Sequence, residues 1–91
     1  MELKWTSKAL SDLARLYDFL VLASKPAAAR TVQSLTQAPV ILLTHPRMGE
    51  QLFQFETRDV RRIFAGEYEI RYELTGQTIY VLRLWHTREN R

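Results

Sequence analysis

The stretch Glu67–Leu74 constrains the fold most, because apolar and charged residues alternate along it almost without exception. Its even positions are aromatic or aliphatic and its odd positions are charged. Successive side chains of a β-strand point to opposite faces, so this pattern predicts an antiparallel strand with one buried and one solvated face. Such a strand needs neighbours on both edges and a layer that covers its apolar face.

Other parts of the chain supply those neighbours. The turn Thr75–Gln77 joins the alternating strand to the next one as a hairpin, and Gly66 closes the strand before it. Three segments are predicted as further strands: Glu2–Trp5 at an edge, Val60–Ala65 and Thr78–His86. Leu52–Phe55 is a candidate for an additional short strand. The sheet is therefore expected to be mainly antiparallel.

The covering layer is predicted to be a helical hairpin. Apolar residues recur every three or four positions in Ser7–Ala23, and the charged residues fall largely outside that stripe: Lys8, Asp12, Arg15 and Asp18. A second helix is predicted over Ala27–Ala38, with Pro26 in its first turn. Pro39 is expected to break it before one further helical turn, Val40–Leu43.

The element order is thus β-α-α-β-β-β, which is an α+β fold with an N-terminal helical hairpin packed on one face of the sheet. A chain of 91 residues is too short for two domains, so residues 1–91 are expected to form one. The longest loop is expected at Thr44–Glu50, and the tail Thr87–Arg91 is polar.

Composition excludes several classes of function. The chain has no cysteine, its two histidines lack ligand spacing, and it has no glycine-rich phosphate loop, so we expect no metal and no cofactor. It shows neither a signal-peptide pattern nor an apolar run of about 18 residues, so we expect a cytoplasmic protein. The formal charge is +3, with ten Arg and three Lys, and this excess suits an acidic protein partner or RNA equally.

The sequence leaves two interpretations open for its polar residues. Arg61 and Arg62 lie on one strand and should point to opposite faces, where one of them forms an anion-binding surface with Arg83 or Arg88. Alternatively, the arginines pair across strands with nearby glutamates, namely Glu67, Glu69 and Glu73. His86 is either a proton shuttle or a structural contact.

Two interpretations also remain for the apolar residues of the hairpin. Leu16, Phe19, Leu20 and Val21 either complete the core or line a groove. Such a groove would accept an amphipathic helix or an added strand from a partner. Trp85 likewise belongs either to the core or to an interface.

Several motifs, in order along nearly the whole chain, resemble the RelE/ParE toxin superfamily. The first strand ends at Trp5, and the first helix carries Ala9, Leu13 and Tyr17. Four later segments are similar to the superfamily patterns H-P-x-x-G, L-R-x-I-V, Y-x-I-x-Y and I-L-R-V-x-H-x-R: His45–Gly49, Val60–Phe64, Tyr68–Tyr72 and Leu82–Arg88.

The resemblance implies the toxin of a bacterial type II toxin–antitoxin system, which causes growth arrest and stabilises a plasmid or chromosome. ParE-like members inhibit DNA gyrase without acting as nucleases, and the C-terminal segment of a cognate antitoxin wraps and neutralises them. RelE-like members are metal-independent endoribonucleases that cut messenger RNA on the ribosome. A third possibility is a member that keeps the fold and antitoxin binding but has lost toxicity.

The ending of this chain favours the ParE branch. The RelE pattern has a basic residue after the first tyrosine of Y-x-I-x-Y, where this chain has Glu69, and no tyrosine follows the last strand. The expected residues fall into three sets: target contacts Arg61, Arg83, His86 and Arg88; antitoxin contacts Leu16, Phe19, Leu20 and Trp85; and, for the RelE alternative, the catalytic group Arg62, His86 and Arg88.

Overall fold

Two α-helices cover one face of a five-stranded sheet within residues 1–89, the part of the chain that the computed structural model describes. The elements are β1 (Glu2–Trp5), α1 (Ser7–Val21), α2 (Lys25–Gln37), a 3₁₀ helix (Ala38–Leu43), β2 (Glu50–Gln51), β3 (Asp59–Ala65), β4 (Tyr68–Thr75) and β5 (Thr78–His86). This order confirms the predicted α+β fold. The predicted tail extends to Asn90 and Arg91, which lie outside the described residues.

Side-chain caps set where both helices begin. The Thr6 hydroxyl accepts a hydrogen bond from the Ala9 amide, and the Ser24 hydroxyl accepts one from Ala27. Because Ser24 adopts an extended backbone to cap α2, α1 ends at Val21, two residues earlier than predicted. None of the helices in residues 1–89 is long and apolar enough to cross a membrane.

The sheet order is β1-β5-β4-β3-β2, in which β1 runs parallel to β5 and the other pairs are antiparallel. A bulge interrupts the β4–β5 pairing, since Arg71 lies opposite Arg83 and Tyr72 lies opposite Val81, which leaves Leu82 unmatched. The extra residue lets both Val81 and Leu84 face the helices, although they stand three positions apart.

The core forms where the helices meet the sheet. Its main cluster joins helical side chains to side chains of β4 and β5: Ala9, Leu16, Leu35, Ile70, Val81 and Leu84. A second cluster joins Leu42 of the 3₁₀ helix to Tyr72 and Ile79. Within residues 1–89 no helix covers the opposite side of the sheet, and we call that side the open face.

The structure corrects two expectations. The strand predicted at Leu52–Phe55 is wrong: β2 is Glu50–Gln51, and the following chain turns because the amides of Phe55 and Arg58 bond to Leu52 and Phe55 carbonyls. The prediction that Asp12 and Glu69 would be solvated is also wrong, since both are buried. Each of these carboxylates is instead paired with arginine.

Candidate functional site

A groove of about 710 Å³ lies between α1 and the end of β5. Leu16, Phe19 and Leu20 line it from the helix, and Tyr68 and His86 line it from the sheet. Leu16 is buried and forms the floor, whereas Phe19 is 71% exposed. A second recess, of about 510 Å³, begins at Tyr68 and His86 and extends beside α2. The two hollows meet at this pair of rings and leave an apolar surface open to a partner.

His86 is oriented by its neighbours. Its ring stands edge-on to Tyr68, with 5.1 Å between ring centroids and 84° between planes. Its Nδ1 accepts the Arg88 backbone N–H at 3.0 Å, and its Nε2 lies 3.8 Å from the Glu67 carboxylate. A neutral imidazole has one donor and one acceptor nitrogen, so this arrangement places the proton on Nε2, facing Glu67.

Charged residues form the rim of the groove. Arg15 bonds Glu89 at 2.6 Å, and this pair ties the C-terminal turn to α1. The carboxylate of Glu89 also accepts the backbone N–H of His86. Arg88 extends into solvent, 4.0 Å from Glu67. The rim can therefore pair with acidic groups beside an apolar centre.

Arg83 lies at the outer edge of β5, where β1 has already ended. Its guanidinium donates two hydrogen bonds to Asp12, at 2.7 and 3.1 Å, and this bond raises the pKa of Arg83. Asp12 also accepts the backbone N–H of Leu84 at 3.0 Å. The pair fixes α1 against a strand edge that would otherwise leave a polar group unsatisfied.

Arg61 lies at the other end of the molecule, inside a set of contacts that we call the loop clamp: Arg61, Tyr72 and Gly49. Arg61 bonds Asp59 and the carbonyls of Arg47 and Gly49. The Tyr72 hydroxyl donates to the Pro46 carbonyl and accepts the Gly49 N–H. Burial raises the pKa of this hydroxyl. The clamp therefore fixes the loop Thr44–Glu50, which the sequence predicts after the helices.

Arg62 lies on the open face, on the side of the sheet opposite to Arg61, as the alternation of β3 predicts for this pair. It bonds Glu50 at 3.0 Å and contacts Glu69 at 3.5 Å, and Glu50 is the main cause of its raised pKa. Glu69 also accepts from Arg71 at 3.1 Å. The buried Glu69 thus neutralises Arg62 across strands, as the pairing interpretation expects, and Arg71 within β4.

The described residues contain no group of three acidic or histidine side chains that could hold a metal ion. The chain matches the family model described as the ParE toxin of the type II toxin–antitoxin system parDE, over residues 3–91. The chain belongs to the ParE toxin family. This membership confirms the resemblance on which the sequence analysis relied.

Two relatives agree with this membership. The toxin is 35% identical over 85 residues to Toxin RelE1 of Caulobacter vibrioides. The aligned region covers 92% of this chain and 90% of that protein. A solved structure described as the chromosomal ParDE TA system from P. aeruginosa superimposes with a TM-score of 0.79 at 28% identity. That match covers 94% of the toxin and 95% of the other chain.

The structure groups the predicted contacts of the toxin differently from the sequence. Leu16, Phe19 and Leu20 come together in the groove, whereas Trp85 lies on the open face opposite Glu69. The four predicted target contacts do not form one cluster. Only two of them, His86 and Arg88, share a surface, and that surface is the groove itself.

Sequence reasoning missed three residues of this surface and one anchor behind it. Arg15, Tyr68 and Glu89 line the groove, and Asp12 anchors the helix that forms its wall. Asp12 follows Ala9 by three positions and precedes Leu16 by four, and this spacing was a signal that could have placed it on the core-facing side. No comparable signal identifies Glu89, because its contacts with Arg15 and the His86 amide form only when the chain turns back after β5.

Proposed function

We propose that this toxin inhibits DNA gyrase in the cytoplasm and that its cognate antitoxin silences it by filling the groove. Membership of a type II toxin–antitoxin family implies the antitoxin partner. The gyrase target follows from the resemblance to ParE rather than RelE sequences, and the geometry of His86 supports that choice most directly.

His86 lacks a free acceptor nitrogen in this structure. A general base for RNA cleavage has to accept a proton from the ribose 2′-hydroxyl, within hydrogen-bond reach. The Nδ1 lone pair already accepts the Arg88 amide, and the neutral ring carries its proton on Nε2. His86 is therefore arranged to donate toward Glu67 rather than to accept a proton from substrate.

The alternative catalytic group is also dispersed. Arg62 lies on the open face, whereas His86 and Arg88 share the groove on the helix-covered side. Phosphodiester cleavage needs cations around the developing negative charge. Glu50 and Glu69 already neutralise Arg62, so the open face offers little charge for that purpose.

The groove suits an amphipathic helix from the antitoxin's C-terminal segment. Such a helix places apolar side chains at every third or fourth position along one face, and the exposed Phe19 and half-buried Leu20 offer them an apolar surface. Acidic residues on its flanks would pair with Arg15 and Arg88. Binding there would cover His86 and Arg88, the two predicted target contacts that share a surface.

The test is a supercoiling assay with purified gyrase, relaxed plasmid, ATP and toxin freed of antitoxin. We expect the toxin to block supercoiling or to trap cleaved DNA. Arg88→Glu should weaken inhibition because Arg88 is the most exposed of the predicted contacts. Arg47→Glu is the matched control, since it reverses an exposed arginine at the far end of the molecule.

One observation favours the RelE-like alternative, namely the 35% identity to a protein named Toxin RelE1. Under that alternative, gyrase stays fully active in the presence of a toxin that still arrests growth. Cleavage of ribosome-bound messenger RNA would then be measured, with Arg62→Gln and His86→Gln as the expected inactive variants. Equal inhibition of gyrase by wild type and Arg88→Glu would instead remove Arg88 from the target contacts.

A further inference from the structure

A short segment crosses the open face between β2 and β3, and we call it the strap: Phe53–Arg58. All of its side chains are exposed except that of Phe55, which is half-buried. Two turn hydrogen bonds and the bond from Arg58 to Glu73 hold the strap in place. Leu52, which precedes it, is buried and bonded to Val60, so the strap is fixed at its base.

The strap covers a stack of aromatic rings and guanidinium groups. The Arg71 guanidinium carbon lies 5.5 Å from the Phe55 ring centroid and 4.8 Å from that of Trp85. Arg58 lies 5.9 Å from the same Phe55 ring. Phe55 therefore fills a slot beside Arg71, and the Trp85 ring contacts the same guanidinium.

The backbone conformation of Thr57 raises the free energy of the closed strap. Its φ is 67°, a left-handed conformation that is unfavourable for a β-branched residue. Strained residues of this kind persist where the surrounding structure imposes them. Thr57 itself is exposed, so the closed strap is held by its turn hydrogen bonds and by the Arg58–Glu73 pair, and opening would relieve the strain at Thr57.

The unsatisfied Nε–H of Arg71 also raises the free energy of the closed strap. Its Nε is buried, and it is the one buried side-chain nitrogen or oxygen in residues 1–89 without a hydrogen-bond partner. A buried donor that lacks an acceptor is unfavourable, and a carboxylate is the acceptor that suits a guanidinium best. The closed strap leaves this donor beside an aromatic ring that cannot satisfy it fully.

We propose that the slot under the strap is a binding site for an aromatic group that carries a carboxylate, such as an aromatic residue next to an acidic one in a partner protein. Phe55 occupies the slot in the closed state. When the strap opens, the partner's ring replaces Phe55 beside Arg71 and its carboxylate accepts the Arg71 Nε–H. This site is independent of the groove and of the choice between gyrase and RNA.

The charges favour a single carboxylate over a nucleic acid. Three arginines and three glutamates face one another here: Arg58, Arg62 and Arg71 with Glu50, Glu69 and Glu73. A polyphosphate needs an excess of cations, which this balanced set lacks. One unsatisfied donor beside a slot for a ring fits one carboxylate and one aromatic group.

The test uses the full chain with Phe55→Ala, in a Trp5→Phe background that leaves Trp85 as the fluorescent residue. The probe is 3-phenylpropionate, followed through Trp85 emission, with 3-phenylpropanamide as the matched neutral probe. We expect Phe55→Ala to bind the carboxylate about tenfold more tightly than the parent does, and about tenfold more tightly than the amide. Arg71→Gln, which removes the charge and the Nε–H, should abolish the preference for the carboxylate.

Equal affinity for the two probes in Phe55→Ala would overturn the assignment of Arg71 as the donor. Tighter binding of a short oligouridylate than of 3-phenylpropionate, with the same Trp85 response, would overturn the ligand class.

Amide hydrogen exchange tests the opening in case Phe55→Ala folds poorly. The Phe55 and Arg58 amides should exchange well before the amides of β3, and Thr57→Asn should slow them about fivefold, because Asn tolerates the left-handed conformation. Exchange of all these amides at one common rate would show that the strap opens only when the whole protein unfolds, and the proposal would fail.

Discussion

The loop clamp and the groove lie at opposite ends of the molecule and use their residues in opposite ways. In the clamp, the polar groups of Tyr72 and Arg61 find partners inside the protein, and Tyr72 is fully buried. In the groove, Phe19 stays 71% exposed and the arginines of the rim reach solvent. The clamp contributes to folding, whereas the groove keeps unused apolar surface for binding.

This difference separates two kinds of arginine that look alike in the sequence. Arg61 donates three hydrogen bonds within the fold, and those bonds account for its position. Arg88 donates no side-chain hydrogen bond in the described residues and has 84% of its side chain exposed. Mutations at the two ends should therefore separate loss of stability from loss of binding.

Gly49→Ala should cause the largest effect, a loss of about 3 kcal/mol in unfolding free energy. A β-carbon at this position would lie 2.5 Å from the Tyr72 hydroxyl and 2.8 Å from the Arg62 carbonyl. The carbonyl belongs to a strand and cannot move aside, so the clamp would break. Urea denaturation followed by circular dichroism measures the change.

Gly76→Ala is the control for this first prediction. Gly76 has φ 59°, and a β-carbon added there would meet nothing within 4 Å, so only backbone strain applies. We expect a loss of about 1 kcal/mol. Equal losses for the two alanine variants would show that the approach to Tyr72 is not what requires glycine at position 49.

Asp12→Asn should cost about 2 kcal/mol, because it weakens a buried charge-assisted pair with Arg83 and the bond to the Leu84 amide. This loss belongs to folding, although Asp12 lies on the helix that forms the groove. Asp18→Asn on the same helix is the control, since Asp18 is exposed and should change stability by less than about 0.5 kcal/mol. Thermal unfolding of both variants at pH 7 compares them, and a stable Asp12→Asn protein would contradict the anchoring role.

The spacing of apolar residues predicted the structure correctly where one face of an element is buried. The alternation of Glu67–Leu74 predicted β4, and Ile70 and Tyr72 are fully buried on the side it indicated. The helical stripe predicted α1 and placed Leu16 in the core. In both elements the buried face appears in the sequence as apolar residues at a regular spacing.

The same reasoning failed where a contact depends on distant parts of the chain. Asp12 and Glu69 were expected in solvent because they are charged, yet their arginine partners bury them. The register that brings Arg83 to Asp12 depends on the bulge at Leu82, which has no local signal. Leu52–Phe55 resembled a strand because it is apolar, but Phe55 packs against Arg71 from the strap.

Phe19→Ala should leave stability within about 0.5 kcal/mol of wild type, because the side chain is already exposed. It should weaken binding of the cognate antitoxin at least about tenfold, as loss of an aromatic anchor does. Isothermal titration calorimetry with purified antitoxin measures the affinity. Leu22→Ala is the matched control: Leu22 is 84% exposed but does not line the groove, and equal weakening by both variants would argue against the groove as the binding surface.

The smallest effect should come from acid titration of Glu73, whose contact belongs neither to the clamp nor to the groove. The hydrogen bond from Arg58 holds the pKa of Glu73 below its ordinary value of 4.5. Since the folded protein binds this proton less tightly than the unfolded chain, the bridge adds stability above the ordinary pKa. That contribution disappears as the pH falls through the lowered value.

Glu73→Gln should therefore be less stable than wild type at pH 7, and this difference should shrink as the pH falls below 4.5, as urea midpoints at pH 7 and pH 3 would show. Glu56→Gln changes an exposed strap carboxylate and is the control for the loss of one negative charge. A difference between Glu73→Gln and wild type that stays constant from pH 7 to pH 3 would mean that the side chain contributes by packing on β4. In that case packing, rather than the ion pair with Glu73, would hold the Arg58 end of the strap.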